Sequence, residues 1–429
     1  MKISAIRIFI AAFTIFFLSS CSSRKFITTT ENNFIKNGKP YHYIGANYWY
    51  GAMLGAKSGD RARLIEELDE LKAHGIANLR ILASSEGGDQ DFTVRPATQY
   101  QQGKYNPELL EGLDFVLAEM RKRNMDAVLY LTNNWEWSGG IAKYLEWNGY
   151  GTVPNPNLSP NTWPQFMAYT DQFQECEPCK EAFLKHIRFM VGRTNSVNGV
   201  KYSEDQTIMS WEVANEPRIG TAQHEAAFTK WLNDVATTIK KLDKNHLVTT
   251  GSEGKAGSNE DIQAFERTHN SPNIDYLTMH IWPKNWGWYN IDDEKNSTQT
   301  SISETVNYMK EHIEVAKSLK KPLVLEEFGF PRTRESLSKS SSVENRNTYY
   351  KAIFEEMEKS IAKKEPFTAL NIWGYGGLGK NNPADGKWKE GDDYTADPPQ
   401  EPQGLNSIFS TDTTTLHLIK EFDQKINQE

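Results

Sequence analysis

The chain reads as an α/β protein of the (β/α)8 TIM-barrel class, and three observations predict it. Eight short apolar runs alternate with amphipathic stretches over most of the 429 residues. Polar and aromatic residues gather at the ends of those runs, where this barrel carries its chemistry. No linker or short-period repeat breaks the alternation after residue 40, so a 38% hydrophobic composition serves one large core.

In chain order, residues 1–20 read as an export signal. Lys2 and Arg7 form a positive start, and Ile8 to Leu18 are nearly all apolar, a run too short to span a membrane well. Leu18-Ser19-Ser20-Cys21 resembles a bacterial lipobox, which makes Cys21 the candidate lipidated N-terminus and the membrane a partner through that anchor. Ordinary cleavage and secretion is the alternative. Residues 21–31 are expected to be a polar tether, and 32–429 the barrel domain. Asn32–Tyr41, with its Asn37-Gly38 turn, predicts a β-hairpin that caps the barrel bottom.

The predicted strands are Tyr43–Asn47, Ala77–Leu82, Ala127–Thr132, Ile208–Ala214, Leu247–Thr250, Tyr276–His280, Leu323–Phe328 and Ala369–Trp373. Between them, Leu64, Leu68 and Leu71 are spaced for one helix face. So are Leu109, Leu113, Val116 and Met120; Phe228, Trp231, Leu232, Val235 and Ile239; and Val306, Met309, Ile313 and Ala316. Cys176 and Cys179 read as a local disulfide in an oxidising compartment, since no further ligands complete a zinc site. The net charge of −8, more negative once Lys2 and Arg7 are removed, argues against nucleic acid as a partner. A monomer is the expected state.

Two strand ends carry the chemistry. Trp211-Glu212-Val213-Ala214-Asn215-Glu216-Pro217 and Leu323-Val324-Leu325-Glu326-Glu327-Phe328-Gly329 each stop on carboxylates and break at Pro or Gly. Paired carboxylates are what glycosidic hydrolysis requires. Taken alone, such residues serve as well in structural ion pairs. Asn47, Trp49, Arg80, Asn133, Trp135, Glu253, His280, Trp282 and Trp373 stand at the other strand ends, and their convergence favours a site. Twelve Trp supply faces that pack on pyranose rings.

With these residues placed, the chain resembles glycoside hydrolase family 5, and within it the β-mannanase branch. Asn215-Glu216-Pro217 matches the family's acid/base motif and Glu327-Phe328-Gly329 its nucleophile motif. Leu131-Thr132-Asn133-Asn134-Trp135, Arg193-Thr194-Asn195, Gly251-Ser252-Glu253-Gly254 and His280-Ile281-Trp282-Pro283 are mannanase-like. The resemblance implies a retaining endo-β-1,4-mannanase acting on mannan, galactomannan or glucomannan. Glu327 would be the nucleophile, lowered in pKa by Arg80, and Glu216 the acid/base. Asn215 would bind the sugar 2-hydroxyl, neutral His280 would bond one of the two carboxyls, and Trp373 would form the floor. Trp49, Asn133, Trp135, Arg218 and Glu253 complete the expected substrate-binding set. Neither metal nor other cofactor is needed. Trp282 stands where many relatives carry a Tyr that orients the nucleophile; an indole donates one hydrogen bond and accepts none. Glu212 and Glu326 are the neighbouring carboxylates. Alternation of strand side chains predicts that Glu326 faces away from the site. Rival readings are an endo-β-1,4-glucanase of the same fold and a non-catalytic glycan-binding lipoprotein, though the latter predicts a lost carboxylate.

Overall fold

A computed structural model describes residues 25–427. The export signal and Cys21 lie outside the described residues. Eight parallel strands form the barrel wall: β1 (Tyr43–Asn47), β2 (Asn78–Leu82), β3 (Asp126–Tyr130), β4 (Ile208–Glu212), β5 (Leu247–Thr249), β6 (Leu277–Ile281), β7 (Leu323–Phe328) and β8 (Phe367–Ile372). The ladder runs β5-β4-β3-β2-β1-β8-β7-β6. Its two ends meet through Asp275 N–H to Val248 O (2.8 Å), Thr249 Oγ1–H to Tyr276 O (3.0 Å) and His280 N–H to Glu253 O (3.1 Å). Every predicted strand is present. The third and fourth stop two residues short of prediction, although Leu131 N–H still bonds Glu212 O and Val213 N–H still bonds Thr249 O.

A helix follows each strand: Arg61–Ala73, Pro107–Lys122, Glu177–Val191, Glu225–Leu242, Ile262–His269, Glu294–Leu319, Glu344–Ala362 and Thr413–Ile426. Local signals start the first two. Asp60 accepts from Arg63 N–H at 2.9 Å, and Asn106 accepts from Glu108 N–H at 3.0 Å ahead of Pro107. The first three predicted apolar faces are buried against the sheet. The fourth is rotated: Val306 is only half-buried, and Thr305, Tyr308 and His312 turn inward beside Met309 and Ala316.

The hairpin caps the barrel bottom as expected. Asn37 and Gly38 take φ of 55° and 82°, the left-handed pair a two-residue hairpin turn requires. Phe34 packs between Tyr43 and Tyr276 at the N-terminal strand ends. The chain joins the fold earlier than residue 32. Ile27 is buried, Thr28–Thr29 pair antiparallel to Phe34–Ile35, and Phe26 stands edge-on to His246. The stretch expected to be a tether up to residue 31 is therefore folded from Phe26 onward, because its apolar side chains close the barrel floor.

Cys176 and Cys179 are joined by a disulfide at the start of the helix Glu177–Val191, and both side chains are buried. Burial alone would hide thiols from reagent, so labelling of native protein decides nothing. We expect protein unfolded without reductant to show no reaction at either residue; labelling of both under that condition rejects the bridge.

Candidate active site

The site is built around a buried guanidinium. Arg80, on β2, binds Glu212 with Nε and Nη2, at 2.9 and 2.5 Å. Its Nη1 bonds Asn47 Oδ1 at 3.0 Å and contacts Glu327 Oε1, while Nη2 also reaches Asn215 Oδ1 at 2.8 Å. Glu212 is thus a buried structural partner of Arg80. Arg80 itself is fully buried and positions the carboxylate end of the site from below.

Opposite Glu327 stands Glu216. Its backbone takes φ = 51°, a left-handed conformation that costs a non-glycine residue roughly 1 kcal/mol or more. The strain is held by Glu216 N–H to Gly251 O (2.9 Å) and Asn215 N–H to Thr132 O (2.8 Å). Gly251 is required there: a Cβ would lie 2.0 Å from Ala214 O. The aim this gives Glu216 puts Oε1 2.7 Å from His280 Nδ1 and Oε2 against the Trp135 indole N–H. His280 Nδ1 is 3.5 Å from Glu327 Oε2. One ligand atom from each of Glu216, His280 and Glu327 lies within 4.8 Å of the others.

Burial, then the neighbouring Glu216 carboxylate, push Glu327 well above the usual carboxylate range; Arg80 opposes them. The expectation that Arg80 holds Glu327 down is met in direction, but its pull is outweighed in the dry pocket. Burial raises Glu216 too, against Arg218 and the Trp135 N–H. Two coupled carboxyls titrate as a unit. The direct guanidinium contact favours Glu327 as the ionised member. Burial pushes His280 down to about 4, so it is neutral.

The cleft above has a volume of about 480 Å³. Of the expected binding residues, Trp135, Asn215, Arg218, Glu253, Trp282 and Trp373 line it. Arg218 is held by Glu253 in a two-pronged pair at 2.6 and 2.7 Å, and its guanidinium lies 4.8 Å from the Trp135 ring. Trp282 packs edge-on to Trp373 at 5.7 Å, and its ring leaves no room for a Cβ at Gly329. It serves as wall, while Arg80 holds Glu327.

Two residues are reassigned. Trp49 is buried, and its indole N–H donates to Ala396 O at 2.9 Å. It pins the loop after β8 rather than meeting solvent. Asn133 is also buried: it donates to Ser138 Oγ and accepts from Trp135 N–H and Asn215 Nδ2, each within 3.1 Å. Both stand at strand ends, but the loops beyond fold back over them. Arg80 and His280 likewise lie beneath the cleft and act on the carboxyls.

The sequence reading missed the loop contributions. Glu136, Asn157 and Trp163 rise after β3; Asn285 and Trp286 after β6; Gln400 and Glu401 after β8. The Trp residues were the available signal. Nothing marked the loop after β8, whose shape depends on Asp397 accepting from Gly404 N–H, Asn406 N–H and Ser407 Oγ–H.

The β-mannosidase-like group of glycoside hydrolase family 5 matches residues 24–429 as a family. The chain belongs to glycoside hydrolase family 5. This family 5 chain is similar to the family 5 mannosidase from Rhizomucor miehei at 34% identity, with a TM-score of 0.86 over 94% of this chain and 98% of that one. An endo-1,4-β-mannanase from the same organism shares 22% identity and the fold, with a TM-score of 0.68 over 94% and 100%. Mannan endo-1,4-β-mannosidase 1 of Solanum lycopersicum is 30% identical over 74% of this chain and 77% of its own length.

Proposed function

We propose that this glycoside hydrolase cleaves β-1,4-mannosidic bonds with retention of configuration, by double displacement. The observation that carries the reading is the closeness of two buried carboxyls, with an oxygen of Glu216 within 4.8 Å of one of Glu327, in unlike surroundings, one against Arg80, the other under Trp135 and His280. A contact of this size favours direct attack over the wider gap that an inverting enzyme leaves for water. Glu327 attacks the anomeric carbon and forms a glycosyl ester as the bond to the leaving oxygen breaks. Glu216 gives that oxygen its proton. Glu216 then takes a proton from water, whose oxygen attacks the anomeric carbon and releases Glu327 as carboxylate. Asn215 stands where it can meet the sugar 2-hydroxyl, and Trp373 lies under the reacting ring.

Attack within β-mannan chains is the first reading, supported by the names of the curated relatives. A second reading, removal of terminal mannose, is favoured by the wall of Pro398, Gln400 and Glu401 and by the stronger likeness to the mannosidase. Digestion of galactomannan and mannohexaose separates them. Internal attack gives an early fall in viscosity and mixed oligosaccharides. Mannose from the first minutes at constant viscosity rejects it. Cleavage of cellulose but not mannan would reject both readings.

We further propose that the enzyme is exported and tethered through a lipidated Cys21, on the strength of the Leu18–Cys21 signature. Mass spectrometry of the mature protein should find an acylated Cys21 as the first residue. An unmodified terminus beginning elsewhere rejects the anchor.

A further inference from the structure

Glu326 is a buried carboxylate that the mechanism above does not use. Strand alternation would turn it away from Glu327, yet both face the barrel interior. The cause is a bulge: β7 pairs Leu325 with Met279 and Glu327 with His280, so Glu326 is the extra residue. Its side chain meets charged or titratable groups from four other strands. Arg80 Nε lies 3.7 Å away and His280 Nε2 3.8 Å away, with Glu212, Tyr43 and Tyr276 around it.

Among the described residues, neither Glu326 oxygen has a hydrogen-bond partner, and neither does His280 Nε2. The other three carboxyls of the cluster are better served. Glu212 takes two hydrogen bonds from Arg80, Glu327 one, and Glu216 is held by Trp135 and His280. Four carboxyls around one guanidinium cannot all stay ionised in a dry interior. A proton is cheapest on the carboxyl that no donor reaches. A neutral acid then has an O–H to give; Glu212 beside it already takes two hydrogen bonds from Arg80, and His280 Nε2, 3.8 Å away, is an acceptor with none. The separation exceeds a hydrogen bond, and such contacts tighten when substrate fills a site.

We propose that Glu326 is a positioning residue, an uncharged carboxylic acid whose O–H faces His280 Nε2 and keeps the ring proton on Nδ1, against Glu216. This rests on the acid/base reading of Glu216. A proton on Nδ1 supports Glu216 as carboxylate, the form that must draw a proton from water in the second half of the reaction. Without the Glu326 O–H, the ring proton moves to Nε2 and a bare Nδ1 lone pair faces Glu216. Its carboxylate is then disfavoured, and it becomes a poorer base near neutral pH.

Two measurements test this. Long-range ¹H–¹⁵N spectra of histidine-labelled wild-type enzyme, with His280 assigned through His280→Gln, should show the proton on Nδ1. A proton on Nε2 overturns the proposal without any variant at 326. The second measurement uses an aryl β-mannoside with an activated leaving group, for which release of the glycosyl-enzyme limits kcat. Glu326→Gln keeps an uncharged donor and should stay within about threefold of wild type, with an unmoved pH profile. Glu326→Met removes the donor. It should lower kcat about tenfold and KM with it, and move the acid limb of kcat up by about one pH unit. A Gln variant that shifts as far as Met, or a Met variant with the wild-type profile, overturns the assignment. A wild-type enzyme inert on every β-mannoside would reject the proposed function instead, and the tautomer would still be readable.

Discussion

Glu327→Gln should remove nearly all turnover on mannan and on aryl β-mannosides alike, because no glycosyl ester can form without the carboxylate. Folding should survive, since the amide is isosteric and Arg80 keeps Glu212 and Asn215 as partners. Glu216→Gln should behave differently. Cleavage of mannan should fall by roughly 10²–10⁴-fold, the usual worth of a general acid. An activated aryl group leaves without help, so the first step on such a substrate should survive while release of the glycosyl-enzyme stays slow. Added azide should restore that release by attacking the face opened by the missing carboxylate, giving a β-glycosyl azide. Wild-type cleavage of mannan by Glu216→Gln, or a first product of inverted configuration, would remove the assignment.

Glu136→Gln should change how stability depends on pH. Glu136 is 1% exposed; it accepts from Asn157 Nδ2 at 2.7 Å through one oxygen, and the other has no partner among the described residues. Burial pushes it up to about 7. The folded protein therefore holds a proton that the unfolded chain, with an ordinary Glu, has released. That contribution is complete at low pH and is lost as pH rises through 7. Gln has nothing to lose. Between pH 4.5 and 8 the variant should gain about 3 kcal/mol on the wild type. The difference is the quantity to measure. His186 and His269 are pushed down to about 4 and His312 to about 3, so each lends the fold stability that is lost as pH falls below an ordinary His pKa. These opposing trends shape the wild-type curve but cancel between variants. Urea midpoints at several pH values suffice, and parallel curves for the two proteins would reject the buried-acid reading.

The parts legible in the sequence were those set by local pattern. Strand alternation with helical faces gave the barrel, and Asn37-Gly38 gave its cap. The carboxyl pair and most of its neighbours stood at strand ends that the motifs marked. Three things escaped, each because it depends on distant chain. Trp49 and Asn133 stand at strand ends like the true lining residues, yet loops far along the chain cover them. The wall after β8 has no periodic pattern, since buried Asp397 and its backbone donors shape it. The bulge at Glu326 follows from how β6 and β7 slide against each other, which neither strand's own residues disclose.

The described chain starts at Lys25, on the sealed floor of the barrel, with Phe26 and Ile27 already packed there and Lys25 N–H bonded to Asn37. The catalytic mouth opens at the opposite pole. A surface that holds the protein by its N-terminal side would therefore grip it by the base. The rim would then face outward, and a glycan chain could be met from the bulk without the support standing in its way.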